Sequence, residues 1–248
     1  MCSTAILYTI GRLKYACGPR WGERYPVMTL RLETQDDVDA GVARLLAQDP
    51  RLAPVVAVAG RTPLRRRTGG FAGLAQIIVA QQLSTASATA IWTRLTTAFD
   101  PLDPEKIRRA RAERLGRIGL SGAKIRAFKA IAKAIHKDGL DLDALADLPA
   151  DDAHRALTAL HGVGPWTADI YLLFCLGHAD AWPAGDLAVQ EAARLAFQLE
   201  ARPTPKEMGP LAEPWRPLRG VAALLLWTYY RAVKKRDAVP IPPTPPPP

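Results

Sequence analysis

This chain of 248 residues is poor in cysteine, with three thiols at Cys2, Cys17 and Cys175. Three scattered cysteines build neither a disulfide framework nor a four-cysteine metal site, and they suggest a reducing cytoplasm. Long apolar runs are missing too. None approaches the roughly 18 residues that span a bilayer, so no membrane helix and no membrane partner is expected. The stretch "AILYTI" is too short for an export signal and is followed at once by Arg12 and Lys14. No segment alternates apolar and polar residues with period two, and no repeat of fixed length is visible. His136 and His161 have no carboxylate or cysteine at metal-ligand spacing, so both read as ordinary histidines.

Positive charge is what the chain has in excess. Lys and Arg number 33 against 24 Asp and Glu, a formal net charge of +9. A basic domain suits a partner with a phosphate backbone. A protein kept soluble by its net charge would look the same. Hydrophobic residues at 48% and charged residues at 23% fit an ordinary globular protein.

The apolar spacing is helical throughout. "DDVDAGVARLLAQDP" has an acidic first turn and an apolar face at Val38, Val42, Leu45 and Leu46. After the basic linker "GRTPLRRRTGG", a long pattern from Phe71 is interrupted at "QQLS", where Ser84 or Thr85 can cap a second helix. "DPEKIRRARAERLGRIGL" predicts a third helix. "AKIRAFKAIAKAIHKDG" predicts an amphipathic helix carrying Lys124, Arg126, Lys129, Lys133 and Lys137. Two further helices flank "HGVGPW", and "DLAVQEAARLAFQLE" and "WRPLRGVAALLLWTYYRAVKKR" complete an all-α chain of about nine segments. Met28 looks like a natural start, which leaves 1–27 as an extension of unknown role. Residues 28–236 form the helical domain, and the proline-rich 237–248 reads as a disordered tail.

The stretch "TALHGVGPWTADI" turns too tightly for a loose linker. Gly162 and Gly164 permit backbone angles closed to other residues, Val163 can plug the helix junction, and Pro165 suits the first helical position. The uncovered N–H groups of such a turn form an anion site, for which a DNA phosphate is a natural occupant. A tight hairpin whose glycines serve packing only would share this spacing.

"LHGVGPWTADIYLLFCLG", with "WPAGDLAVQEAARL", resembles the helix-hairpin-helix DNA glycosylases, nearest to the 3-methyladenine DNA glycosylase II branch. "QIIVAQQLSTASATAIWTRL", "GLSGAKIRAFKAIA" and "PWRPLRGVAALLLW" match that branch in order and spacing, from about Gly69 to Lys235. The resemblance implies two helical subdomains flanking a cleft, here without a full N-terminal β domain. It also implies a monomer that binds duplex DNA and excises alkylated bases of the 3-methyladenine and 7-methylguanine type. It places the catalytic aspartate at Asp186, which also stands where it could cap the helix from Leu187. Breaking an N-glycosidic bond builds positive charge on the sugar, and a fixed carboxylate opposite that charge stabilises it.

The remaining site residues follow from family position or from nearness to the hairpin. Trp166, Tyr171 and Trp227 are base-pocket candidates, because aromatic faces attract cationic bases, although the same rings could fill the core. Gln82 or Leu83 is the wedge entering the gap left by a flipped base, unless "QQLS" is a plain helix junction. Gly162, Gly164 and Lys124 are phosphate contacts, with Lys124 equally readable as a solvated helix face. The backbone carbonyls of Thr158, Leu160 and Val163 could hold a monovalent cation. His161 stands where many relatives have proline, and Ile170 where an aromatic is common. Relatives that also nick the strand carry a lysine at the position of Trp166, so the resemblance implies a monofunctional enzyme. It implies no catalytic metal and no cofactor. Two readings compete with it: a non-enzymatic DNA-binding module, and a glycosylase/lyase, which Trp166 disfavours.

Overall fold

Residues 29–235 are described by the computed structural model; the expected extension 1–27 and tail 237–248 lie outside them. Thr34 opens the first helix, α1 (Gln35–Gln48), through a reciprocal cap in which its hydroxyl meets the Asp37 backbone and Asp37 reaches back. The chain continues through α2 (Ala53–Ala59) into α3 (Gly70–Ala80), which is buried on nearly every side. Ser84 caps α4 (Thr85–Ala98), so the break expected at "QQLS" is present.

The stretch predicted as a single third helix is two, α5 (Pro104–Arg109) and α6 (Ala112–Ile118). The cause is tertiary. Lys129 Nζ donates to the carbonyl of Ala110 at 2.6 Å and to that of Arg108 at 3.4 Å, and Ala110 is extended (ψ 140°). Lys129 sits on α7 (Gly122–Asp138), whose apolar face buries Ile125, Phe128 and Ile131. Then come α8 (Ala150–Thr158) and α9 (Pro165–Ile170), the latter running into a π-helical turn over Tyr171–Leu176. α10 (Leu187–Ala196), α11 (Pro205–Ala212) and α12 (Arg219–Lys234) complete the order. Neither α2 nor α11 was expected. Both are short and carry prolines, although the Thr204–Glu207 capping box of α11 was a usable signal.

The helices form two groups. α12 packs on α1, α2 and α10, while α3 packs on α4 and α7, with α5 and α6 against α4 and α7. α9 and the π turn touch α3, and α8 packs on both of them. Among the described residues there is no strand. A single antiparallel bridge pairs Arg31 with His178, where Leu32 N–H meets Gly177 O at 2.7 Å and Ala179 N–H meets Leu30 O at 2.9 Å. Arg219, buried at the start of α12, donates to Asp180 and to Asp151 of α8, and Arg216 joins both acids. This ionic knot fixes the base of the hairpin to α12. No helix among the described residues is long and apolar enough to cross a membrane.

Candidate active site

The hairpin joins α8 to α9, and its two glycines do different work. Gly162 adopts φ +85°, and a Cβ built on it would lie 2.3 Å from the Ala127 Cβ of α7. It is glycine because of both handedness and a close helix approach. Gly164 corrects the expectation of two special angles. It is extended at φ −84°, ψ 169°, a conformation open to any residue, and an added Cβ would meet nothing within 4 Å. Val163 between them is buried as a plug, and Pro165 occupies the first turn. No side chain caps α9, so the backbone N–H groups of Trp166 and Thr167 have no capping partner at this exposed turn. Of the carbonyls considered for a cation, that of Leu160 accepts the Val163 N–H at 3.1 Å.

Asp186 is the N-cap of α10. Its Oδ1 accepts the backbone N–H groups of Ala188 and Val189, each at 3.0 Å. The same oxygen accepts the Trp227 indole N–H at 3.0 Å, and Oδ2 accepts that of Trp166 at 2.8 Å. Asp186 is 6% exposed. Four N–H donors from three helices therefore fix one side chain at the junction of the hairpin with α10 and α12.

Both tryptophans considered for a base pocket thus hold the acid. Trp166 is half-buried. Trp227 is fully buried, its ring centroid 5.4 Å from that of Phe174, so it faces the core rather than an opening. Tyr171 corrects the expectation further: it is fully buried in the π turn, and burial lifts its phenol far above the usual range. Its ring presents no face to a ligand.

The turn between α3 and α4 separates the two wedge candidates. Gln82 is exposed with φ +57°, whereas Leu83 is half-buried against the core. Lys124, considered for a phosphate contact, is engaged within the protein. Its ammonium donates to the carbonyls of Val79 at 2.8 Å and Gln81 at 2.9 Å, closing the C-terminus of α3, and burial pulls its pKa down.

Two polar contacts near the site escaped the sequence reading. Gln81 Nε2 donates to Thr167 Oγ1 at 2.6 Å, tying the turn to α9. Asp169, one turn beyond Trp166, is buried with His154 Nε2 3.5 Å away. Burial holds the Asp169 carboxyl well above the usual range and holds His154 below its own. The "QQ" pair and the hydroxyl in "PWTAD" were the visible signals. Among the described residues no group of three or more His, Cys, Asp or Glu could hold a metal ion.

Known proteins resemble the chain in sequence and in fold. The chain is 28% identical to the alkylbase DNA glycosidase-like protein mag2 of Schizosaccharomyces pombe, over 63% of this chain and 76% of that one. Among solved structures, a DNA-3-methyladenine glycosidase from Bacillus halodurans superposes with TM-score 0.72 at 29% identity, covering 80% of this chain and 92% of that one. A 3-methyladenine DNA glycosylase of S. pombe, in complex with abasic DNA, gives 0.67 at 26%, covering 79% and 97%. Residues 75–217, which hold the turn of Gln82, the hairpin and Asp186, match the HhH-GPD superfamily of base excision DNA repair proteins, and the chain belongs to that family of DNA glycosylases.

Proposed function

We propose that this glycosylase is monofunctional and excises alkylated bases, of the 3-methyladenine and 7-methylguanine type, from duplex DNA. The observation that carries the reading is Asp186, 6% exposed, its carboxylate held by two indoles and a helix N-terminus. The bases concerned are cationic and already good leaving groups, so the reaction needs charge stabilisation at the sugar more than a strong general acid. Asp186 provides it, facing the positive charge as the N-glycosidic bond breaks, and it orients the attacking water. The half-buried Trp166 ring offers a π face to a cationic base beside that carboxylate.

The other parts fit around this centre. Gln82, exposed in a left-handed conformation, is the wedge; Leu83 supports it from below. The open backbone at Gly164 and the uncapped start of α9 receive a phosphate of the flipped strand. The Leu160 carbonyl keeps a lone pair after accepting Val163 N–H, so it, Thr158 O and Val163 O would hold a monovalent cation that adds positive charge beside that phosphate. With tryptophan rather than lysine at 166, the reading gives an abasic site without strand cleavage as the product.

The test is release of free base from methylated duplex DNA by the native protein and by Asp186→Asn. The expected loss is on the order of a hundredfold or more. Equal release by both forms would sink the role of Asp186. No release by the native protein from any alkylated duplex would leave a DNA-binding module, and strand cleavage without added alkali would restore the lyase.

A further inference from the structure

The turn that carries Gln82 and the helix that carries Trp166 are joined by one side-chain hydrogen bond, Gln81 Nε2 to Thr167 Oγ1 at 2.6 Å. Gln81 is the chain neighbour of Gln82, Thr167 is the neighbour of Trp166, and Trp166 reaches Asp186 Oδ2 at 2.8 Å. Two covalent steps and two hydrogen bonds therefore connect an exposed side chain at the tip of the turn to the buried carboxylate. Thr167 is 2% exposed and Gln81 is half-buried, so the joint is largely shielded from water. The Lys124 ammonium grips the Gln81 carbonyl from α7 at 2.9 Å, holding the same residue from the other side.

A largely shielded amide–hydroxyl pair is an odd choice if stability alone is wanted, because two apolar side chains of the same shape serve about as well. What the pair adds is a fixed distance and direction between two elements. We propose that the Gln81–Thr167 hydrogen bond is a coupling joint, which sets the Gln82 turn in register with the Asp186 carboxylate. Insertion into the duplex and alignment of the acid then occur together. The inference rests on the glycosylase reading for the roles of Gln82 and Asp186. Gln81 and Thr167 are positioning residues, whose side chains act through their neighbours.

Thr167→Val removes the hydroxyl at nearly constant volume, Thr167→Ser keeps it, and Gln81→Met breaks the same bond from the side of the turn. A duplex with a tetrahydrofuran abasic analogue beside 2-aminopurine reports insertion as fluorescence, without any excision. Single-turnover release of methylated base reports the carboxylate. Thr167→Val and Gln81→Met are each expected to lower both signals about tenfold, the effect of one buried hydrogen bond on an equilibrium or a rate. Thr167→Ser restores both to within about twofold, and affinity for undamaged duplex stays level. Combining Thr167→Val with Gln82→Ala costs no more than Gln82→Ala alone, as expected of groups acting as a unit. The joint is refuted if folded Thr167→Val and Gln81→Met proteins insert as the native one does, if the double variant is additive, or if the native protein gives no insertion signal. Failure of the native protein to release base removes the glycosylase reading alone, since the abasic analogue judges the joint without it.

Discussion

The Trp166 indole N–H meets Asp186 Oδ2 at 2.8 Å, joining the first turn after the hairpin to the cap of α10. Trp166 is therefore a hydrogen-bond donor to the acid as well as an aromatic surface. Trp166→Phe separates the two roles, keeping a ring and deleting the donor. Single-turnover base release should fall by roughly ten- to a hundredfold, the range for a hydrogen bond to a charged group, with duplex affinity little changed. Native excision by the variant would reduce Trp166 to a pocket wall.

The two hairpin glycines should respond in opposite ways. Gly162→Ala meets both the left-handed φ and the Ala127 Cβ, so it should destabilise the fold by about 2–3 kcal/mol in denaturant unfolding. Gly164→Ala has room and ordinary angles, so stability should stay within about 0.5 kcal/mol. Its duplex affinity should nonetheless drop several-fold, because the methyl group would stand at the proposed phosphate site. Unchanged affinity in a filter-binding titration would move the phosphate elsewhere.

Lys124 offers a test based on salt. A lysine on a phosphate contributes about 0.9 to the slope of log affinity against log salt. Because the Lys124 ammonium is engaged by the Val79 and Gln81 carbonyls, Lys124→Met should leave that slope unchanged and lower unfolding stability by about 1–3 kcal/mol. A shallower slope at native stability would return Lys124 to the DNA.

Asp169 should make stability depend on pH in the direction unusual for an aspartate. Its folded pKa is raised by burial, so its contribution is complete below the unfolded value of about 3.9 and is lost as pH rises toward the folded one. Asp169→Asn does not ionise. Its melting temperature should exceed the native one at pH 8, on the order of 2–4 °C per kcal/mol relieved, and the gap should close near pH 4. A variant less stable than native at pH 8 would contradict this assignment.

The parts legible in the sequence were those set by local chemistry. Glycine and proline punctuation marked the hairpin, Ser84 marked the start of α4, and Asp186 stood one residue before an amphipathic run. What escaped depended on long side chains crossing between elements. Lys124 and Lys129 share α7 with other basic residues and look like a solvated face, yet each ammonium ends on the carbonyls of another element. The second of these splits the helix expected over 103–120, which local propensity favours. Tyr171 and Trp227 were placed by position and nearness, and neither shows that the π turn and α12 turn their rings inward.

The cap at α10 makes the two carboxylate oxygens of Asp186 inequivalent. Oδ1 is saturated by three N–H donors, whereas Oδ2 meets one and is the oxygen with lone-pair capacity left. Chemistry at Asp186 therefore has one outlet, on the side of Trp166. Asp186→Asn is consequently more than a loss of charge. With its carbonyl oxygen kept under the three donors, its amide nitrogen must face the Trp166 N–H, donor against donor, so the variant keeps the helix start while pushing the indole away.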